Sequence, residues 1–228
     1  MRLHRFFVGS DTTLEHDFWL RDQAILNQWN RVLRFRAGQE VVLFDGLKHD
    51  RLFKIAEISK DEAHLMHITD YVRKIPKKNV YLLWALLKKD KNDWVLQKCT
   101  EMGVSHFVPL ITERTEKTGF DIERAKKITI EAAEQCGRSD IPNVREPIGL
   151  LSAIDELNGK IELYMCDQEG EDVKNISKDI GIFVGPEGGW SDSEKSLFES
   201  KGVKRLNIHD FTLRAETACI AAVTIVGL

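Results

Sequence analysis

The chain has 228 residues, enough for one large or two modest globular domains, and 43% of them are hydrophobic. Its formal net charge is −3, yet residues 1 to 80 carry 14 Lys and Arg against 11 Asp and Glu, so the N-terminal part is the more basic one. The four cysteines are widely spaced without a CxxC pair, which argues against a zinc site and a disulfide framework and favours a reducing compartment. No leader opens the chain and no apolar run approaches the ~20 residues of a membrane span, so we expect a cytoplasmic protein without a metal.

The first third of the chain predicts a small β domain. We expect a helix around Phe18 to Trp29, followed by short strands in residues 39 to 72 that are separated by polar turns. Strands at this spacing are typical of a small antiparallel barrel or sandwich. The basic segment RKIPKKN, residues 73 to 79, is interrupted by Pro76 and is typical of a linker.

The rest of the chain predicts alternating strands and helices. The apolar run VYLLWALL, residues 80 to 87, is typical of a strand buried on both faces of a parallel sheet. Asp93 and Asp121 are expected to cap the next two helices, and Ser191 opens another with capping-box spacing. Strands in SHFVPLIT, KIELYMC, GIFVG and VKRLNI, with a last helix over residues 215 to 227, complete an α/β domain. Its ligand should lie at the carboxyl ends of the strands.

The segment GIFVGPEGGWSDSE, residues 181 to 194, places a glycine-rich turn between a strand and a helix start. Such a turn often binds phosphate, because backbone N–H groups and the helix dipole point at the ligand. Here Pro186 has no N–H to donate and Glu187 adds a negative charge, so the turn suits a ligand that is uncharged or cationic at the contact. The alternative is a tight turn that requires glycine and binds nothing.

Charged residues also lie at the ends of three other predicted elements. Arg214 and Glu216 open the last helix in LRAETACIAAV, Arg138 follows a helix in EAAEQCGRSDIP, and Arg114 follows a strand in PLITERTEK. Taken singly, each is explained by a helix dipole or a solvated surface. Taken with the glycine turn, Arg214 and Glu216 can line one pocket. The Arg138 guanidinium, in a glycine-flanked loop, can bind an RNA phosphate or base.

The motifs GPEGGWSDSE, LRAETA, EQCGR and LQKCTEMGV with PLITERTEK, together with RFFV and VLRFRAGQEVVLFDG nearer the N-terminus, resemble the RsmE family of ribosomal RNA methyltransferases in the SPOUT superfamily. The resemblance implies a small N-terminal PUA-like β-barrel that binds RNA, residues 1–72. It implies a SPOUT-type α/β methyltransferase domain with a C-terminal trefoil knot in residues 73–228. It further implies a homodimer that uses S-adenosyl-L-methionine to methylate N3 of a specific uridine in 16S (small-subunit) ribosomal RNA, either naked or in the assembled small ribosomal subunit.

The same resemblance assigns residues to roles. It implies a cofactor site at three strand ends, formed by Met165, Cys166, Val184, Gly185, Pro186, Glu187, Gly188, Gly189, Leu206, Ile208, His209, Leu213 and Arg214. We expect Arg214 and Arg138 to stabilise a uridine anion during catalysis, with Glu216 orienting Arg214. RNA contacts are expected from Arg5, Arg31, Arg34, Arg114 and Arg138.

Two other functions stay open. His209 stands where the family usually has glycine, and Phe211 where it usually has a basic residue. A non-catalytic RNA-binding ribosome assembly factor that retains the fold is therefore one alternative. A nucleotide-binding oxidoreductase is disfavoured, because GPEGG is neither a GxGxxG turn nor a P-loop.

Overall fold

The computed structural model describes residues 3–116, 119–171 and 178–227, and it divides into two compact units. Unit 1 comprises Met1–Ile75 and Ala133–Ile141, and unit 2 comprises Pro76–Ala132 and Pro142–Leu228. The division after residue 75 lies within the expected linker. Unit 1 also takes in a segment from the middle of the chain, which the sequence assigned to the second domain.

Unit 1 is built on a five-stranded sheet with the strand order β1-β3-β4-β5-β2. Its elements are β1 (His4–Phe7), β2 (Asp17–Leu20), α1 (Gln23–Asn27), a π-helical segment (Gln28–Leu33), β3 (Glu40–Phe44), β4 (Asp50–Ile58) and β5 (Ala63–Asp70). β1 pairs parallel to β3, and the other pairings are antiparallel. The three strands expected within residues 39 to 72 are confirmed.

The helix expected from Phe18 onward was placed too early. Phe18 pairs with Leu65 in β2, and the chain becomes helical only after Asp22. The Asp22 carboxylate caps α1 by accepting hydrogen bonds from the first backbone N–H groups of the helix. Burial of β2 against β5 overrides the helical periodicity there.

A buried polar network ties the segment Ala133–Ile141 to the sheet of unit 1. Asp50 is only 3% exposed, and its carboxylate accepts two hydrogen bonds from the Arg5 guanidinium, at 2.6 and 3.1 Å, and one from the Ser139 hydroxyl. Glu134 accepts a hydrogen bond from the Phe7 backbone N–H at 2.8 Å. A buried carboxylate requires such partners, because an unpaired buried charge is strongly destabilising. The EQCGR motif therefore serves the fold of unit 1.

Unit 2 is a parallel α/β domain. Its elements are β6 (Val80–Ala85), α2 (Lys89–Glu101), β7 (His106–Ile111), α3 (Ile122–Cys136, whose last residues belong to unit 1), β8 (Asn143–Val144), β9 (Ile148–Gly149), α4 (Leu150–Leu157), β10 (Glu162–Glu171), β11 (Ile180–Val184), α5 (Asp192–Ser200), β12 (Lys204–Leu206) and α6 (Ala215–Gly227). The strand order is β12-β10-β11-β6-β7-β8, and β9 also pairs with β7. Every pairing is parallel, as the sequence predicted.

Both faces of this sheet are buried. Leu82 and Ile182 pack on one face with side chains of α2, α3 and α6, whereas Leu83 and Phe183 pack on the other with side chains of α4 and α5. Successive residues of a strand point to opposite faces, which explains why β6 and β11 are continuous apolar runs. The carboxyl ends of the strands are left to bind a ligand.

The expected helix starts are confirmed at Asp121 and Ser191. The Asp121 carboxylate accepts from the Arg124 N–H, and Ser191 forms a complete capping box with Glu194. The expectation for Asp93 is wrong, because α2 begins at Lys89 and Asp93 lies inside it, paired with Arg124 at 2.6 Å. α4, which the sequence interpretation missed, lies between β9 and β10.

Candidate active site

A cavity of about 570 Å³ lies in unit 2, next to the ends of β11 and β12 and the second half of β10, which runs on to Glu171. Its walls are residues Cys166 to Gln168 within β10, the glycine loop from Gly185 to Trp190 after β11, and the segment from residue 207 to the start of α6. Lys91 of α2 completes the lining. The three segments that the family resemblance grouped together therefore enclose one cavity, although the structure extends β10 past Cys166, which was expected at its end.

Ten of the thirteen expected cofactor residues line this cavity: Cys166, Val184, Gly185, Pro186, Glu187, Gly189, Ile208, His209, Leu213 and Arg214. The other three lie behind its wall. Met165 and Leu206 are 1% and 0% exposed and belong to the hydrophobic cores. Gly188 faces away, since a Cβ built on it meets Arg114 at 3.3 Å.

The glycine loop is fixed from two sides. Arg114, expected to contact RNA, donates a hydrogen bond from Nη1 to the Gly188 carbonyl at 2.6 Å. Buried Glu194 accepts from the backbone N–H groups of Ser191 and Glu113, each at 2.9 Å, which joins the start of α5 to the end of β7. Gly189 has a φ of +66°, a conformation that non-glycine residues rarely adopt. The loop is thus held in one shape before any ligand arrives.

Lys91 connects the glycine loop to α6. Its ammonium lies 3.1 Å from Glu187 Oε1 and 3.4 Å from Glu216 Oε2. Lys91 is placed by its neighbour Asn92, a buried side chain that accepts from the Trp84 indole at 3.0 Å and bonds both backbone groups of Leu87. Among the described residues no ion pair joins Glu216 to Arg214, so the orienting role expected for Glu216 is not seen.

The pairing with Lys91 keeps these groups charged. The hydrogen bond with Glu187 is the largest cause that raises the pKa of Lys91. Burial by itself raises the pKa of Glu187, but its own backbone N–H and Lys91 outweigh that effect and the pKa falls below its usual value. Near neutral pH this wall of the cavity therefore carries an ammonium and a carboxylate.

Two buried polar atoms at the cavity have no hydrogen-bond partner among the described residues. They are the Trp190 indole nitrogen, from one wall, and Asp167 Oδ2, from the opposite strand, which lies 3.7 Å from Arg205. Buried polar atoms are normally satisfied. A ligand with a hydrogen-bond acceptor and a donor or positive charge fits these two atoms.

Arg214 lies at the mouth of the cavity, immediately before α6. Its backbone carbonyl accepts the first helical hydrogen bond, from Ala218 at 2.8 Å, and its exposed guanidinium pairs with no described residue. His209 and Phe211 also line the cavity. Two hydrogen bonds hold their segment: the His209 backbone N–H donates to the Asn207 side chain, and the Phe211 backbone N–H donates to the His209 side chain. These two departures from the family pattern leave the cavity open.

The arginines expected to contact RNA, other than Arg114, belong to unit 1 and do not line this cavity. Arg138 is 7% exposed and forms two hydrogen bonds with Asp140, at 2.6 and 2.9 Å. Arg5 is paired with Asp50, as described above. Arg31 lies in the π-helical segment, Arg34 directly follows it, and both side chains are exposed. Among the arginines of unit 1 that were expected to contact RNA, these two therefore have accessible guanidinium groups.

Lys91, Asp167 and Trp190 were missed by the sequence interpretation. Lys91 stands in a lysine-rich stretch, and nothing local separates it from its neighbours. Asp167 directly follows the predicted residue Cys166, and Trp190 follows the predicted residue Gly189 inside the motif GPEGGWSDSE, so one more position in each predicted set would have found them. Within the described residues, no helix is both long and apolar enough to cross a membrane, and no cluster of His, Cys, Asp and Glu is suited to hold a metal ion.

Comparison with known proteins agrees with this geometry. The RNA methyltransferase domain model matches residues 73–227, and an RNA methyltransferase PUA domain model matches residues 31–65. The fold and the site thus define an RNA methyltransferase with an N-terminal PUA domain.

Individual relatives narrow the class. The chain is 31% identical to the ribosomal RNA small subunit methyltransferase E of Synechocystis sp., over 94% of this chain and 74% of that protein. It is also 31% identical to the enzyme of that name from Aquifex aeolicus, over 86% of this chain and 88% of that one. The Neisseria gonorrhoeae enzyme, crystallised bound to S-adenosyl methionine, superposes with a TM-score of 0.89 at 28% identity, covering 97% of this chain and 95% of the other. The chain belongs to the ribosomal RNA small subunit methyltransferase E family.

Proposed function

We propose that this protein methylates N3 of a specific uridine in small-subunit ribosomal RNA with S-adenosyl-L-methionine as the methyl donor. The observation that carries the proposal is the cavity in unit 2, which is lined by the glycine loop with Glu187 and by Asp167, whose buried Oδ2 has no hydrogen-bond partner among the described residues. These groups fit a ligand with an adenosine and a positive charge. The relatives described above are named as ribosomal RNA small subunit methyltransferases, which supports methylation of that RNA.

The residues of the chain have separable tasks in this proposal. The bound cofactor supplies an electrophilic methyl group. The glycine loop, held by Arg114, and the segment that ends at Arg214 position it against the RNA base, and such positioning supplies much of the rate enhancement in transfer reactions. In this proposal Arg214, which lines the cavity, is the cation that stabilises the negative charge developing on the uridine ring as N3 loses its proton.

We further propose that the protein acts in the cytoplasm as a homodimer, and that unit 1 contributes RNA affinity through exposed guanidinium groups such as Arg31 and Arg34. We also propose that unit 2 contains a C-terminal trefoil knot. A non-catalytic assembly factor is the less favoured function, because His209 and Phe211 leave the cavity open.

The test has two parts. Calorimetric titration of the purified protein with S-adenosyl-L-methionine should give a saturable isotherm with one site per chain. Mass mapping of small-subunit ribosomal RNA from a deletion strain should show one uridine without its N3 methyl group, restored by the wild-type gene. Cofactor binding without any change in the RNA would contradict the proposed substrate, and absence of binding would favour the assembly factor.

A further inference from the structure

Lys91 occupies the space between two carboxylates that come from different parts of unit 2. Glu187 belongs to the glycine loop and is half exposed, and Glu216 belongs to the first turn of α6, with a side chain only 16% exposed. The Lys91 side chain is 26% exposed and faces both. Glu216 Oε2 is buried and makes no hydrogen bond with a described residue, so its contact with Lys91 is an ion pair without hydrogen-bond geometry. One ammonium between two carboxylates gives these three side chains a net charge of −1, and the lining of the cavity also contains Asp167, which is paired with Arg205, and Arg214.

We propose that this triad of Lys91, Glu187 and Glu216 makes the cavity discriminate by charge between the methyl donor and its demethylated product. The inference rests on the proposed function. During transfer the methyl–sulfur bond breaks and its electron pair stays on sulfur, while the methyl carbon bonds to the acceptor nitrogen, whose proton goes to solvent. The positively charged sulfonium becomes a neutral thioether, and the charge of the triad does not change.

The electrostatic consequence has a definite sign. A triad with a net negative charge attracts the positively charged sulfonium of the donor but not the neutral thioether of the product. It therefore favours binding of the donor over binding of the product. Lys91 sets the size of this preference, because its ammonium cancels one of the two carboxylate charges. It moderates the attraction for the donor while it fastens the glycine loop to α6.

A purely mechanical role of Lys91 predicts something different. If the residue only joined the loop to α6, its removal would loosen the cavity and weaken the binding of donor and product alike. The ratio of the two dissociation constants therefore separates charge selection from mechanical support. Neutralising Lys91 and neutralising Glu187 should change that ratio in opposite directions. Damage to the cavity would weaken the binding of both ligands and would not produce opposite changes in the two variants.

The experiment measures the dissociation constants of S-adenosyl-L-methionine and S-adenosylhomocysteine by calorimetry at pH 8, in the full-length protein. We expect Lys91→Met to raise the preference for the cation over the neutral product about fivefold, and Glu187→Gln to lower it by about the same factor. Lys91→Arg keeps the charge and should leave the ratio unchanged. Lys160→Met removes an exposed lysine at the opposite end of β10 and is the matched control.

The outcomes are distinguishable. An unchanged ratio in both Lys91→Met and Glu187→Gln, or a shift in the same direction in the two, overturns the inference and leaves the proposed function intact. Failure of the wild-type protein to bind either ligand overturns the proposed function, and the inference with it. If circular dichroism shows that Lys91→Met does not fold, Lys91→Gln replaces it, because it removes the same positive charge with a polar side chain and should likewise raise the preference for the donor.

Discussion

Arg114 Nη1 donates a hydrogen bond to the Gly188 carbonyl at 2.6 Å, so the end of β7 supports the glycine loop of the cavity. We expect Arg114→Ala to weaken cofactor binding about fivefold, since a charge-assisted hydrogen bond at an exposed site contributes about 1 kcal/mol. Calorimetric titration with S-adenosyl-L-methionine measures the change. Arg145→Ala is the control, because Arg145 pairs with Glu156 and does not line the cavity. Equal affinity in wild type and Arg114→Ala would show that the loop keeps its shape without this support.

Arg214 should affect the methyl-transfer step more than binding. A fixed cation near the uridine ring stabilises the developing anion more than the neutral ground state. We expect Arg214→Ala to lower the single-turnover rate about a hundredfold with little change in RNA affinity, and Arg214→Lys to recover part of the loss. Rapid-quench measurement at saturating RNA and cofactor gives the rate. If the defect of Arg214→Ala disappears at saturation, the residue contributes to binding and another group stabilises the anion.

Arg5 and Arg31 were both expected to contact RNA, and the structure now predicts different effects for them. Arg5→Ala leaves the Asp50 carboxylate, 3% exposed, without its cation and should cost about 3 kcal/mol of unfolding free energy. Arg31→Ala changes an exposed side chain and should leave stability within about 0.5 kcal/mol while it weakens RNA binding. Urea unfolding and filter binding measure the two quantities. Equal stability of the two variants would argue against the buried network.

Stability should fall at high pH because of the buried cysteines. Burial raises the pKa values of the Cys99 and Cys219 thiols, and the partly buried Cys166, which lines the cavity, has its pKa raised to about 12 by the same desolvation. Above a pH of about 9 the unfolded chain releases these thiol protons and the folded chain keeps them. Each such thiol therefore reduces the unfolding free energy by about 1.4 kcal/mol per pH unit until its folded pKa is reached.

Urea unfolding between pH 8.5 and 10.5 tests this slope. Cys219→Ala should make the decline with pH shallower, whereas Cys136→Ala should not, because Cys136 is exposed. A decline of the same slope in Cys219→Ala as in the wild-type protein would assign the pH dependence to other groups.

The proposed homodimer makes a prediction about α6. This helix is apolar nearly all round, and the structure buries Cys219, Ala222 and Val226 inside unit 2, against β6, β11 and α2. Ile225, about a quarter of a turn around the helix from these residues, stays 39% exposed. If this side forms a subunit contact, Ile225→Asp should shift the protein from dimer to monomer in sedimentation velocity at micromolar concentration, since a charge is costly in an apolar interface. Leu151→Asp, an exposed apolar residue of α4, is the control.

The sequence by itself determined the elements whose signals are local. The capping residues Asp121 and Ser191, the continuous apolar strands and the glycine turn each depend on neighbours within a few positions, and each is found as predicted. The general rule for parallel sheets predicted only that a ligand lies at the carboxyl ends of the strands. The resemblance to the RsmE family named the three segments that form most of the cavity wall.

Only the tertiary structure decided how individual charged side chains are used. Arg138 and Arg214 were both predicted to stabilise the uridine anion, yet Arg138 is buried against Asp140 and Arg214 lines the cavity with no ion pair to a described residue. Lys91 reaches Glu187 and Glu216 across 96 and 125 positions of the chain. A charge acts through whatever lies within a few ångströms of it, and a long side chain finds those partners only after the chain has folded, so no local pattern can specify them.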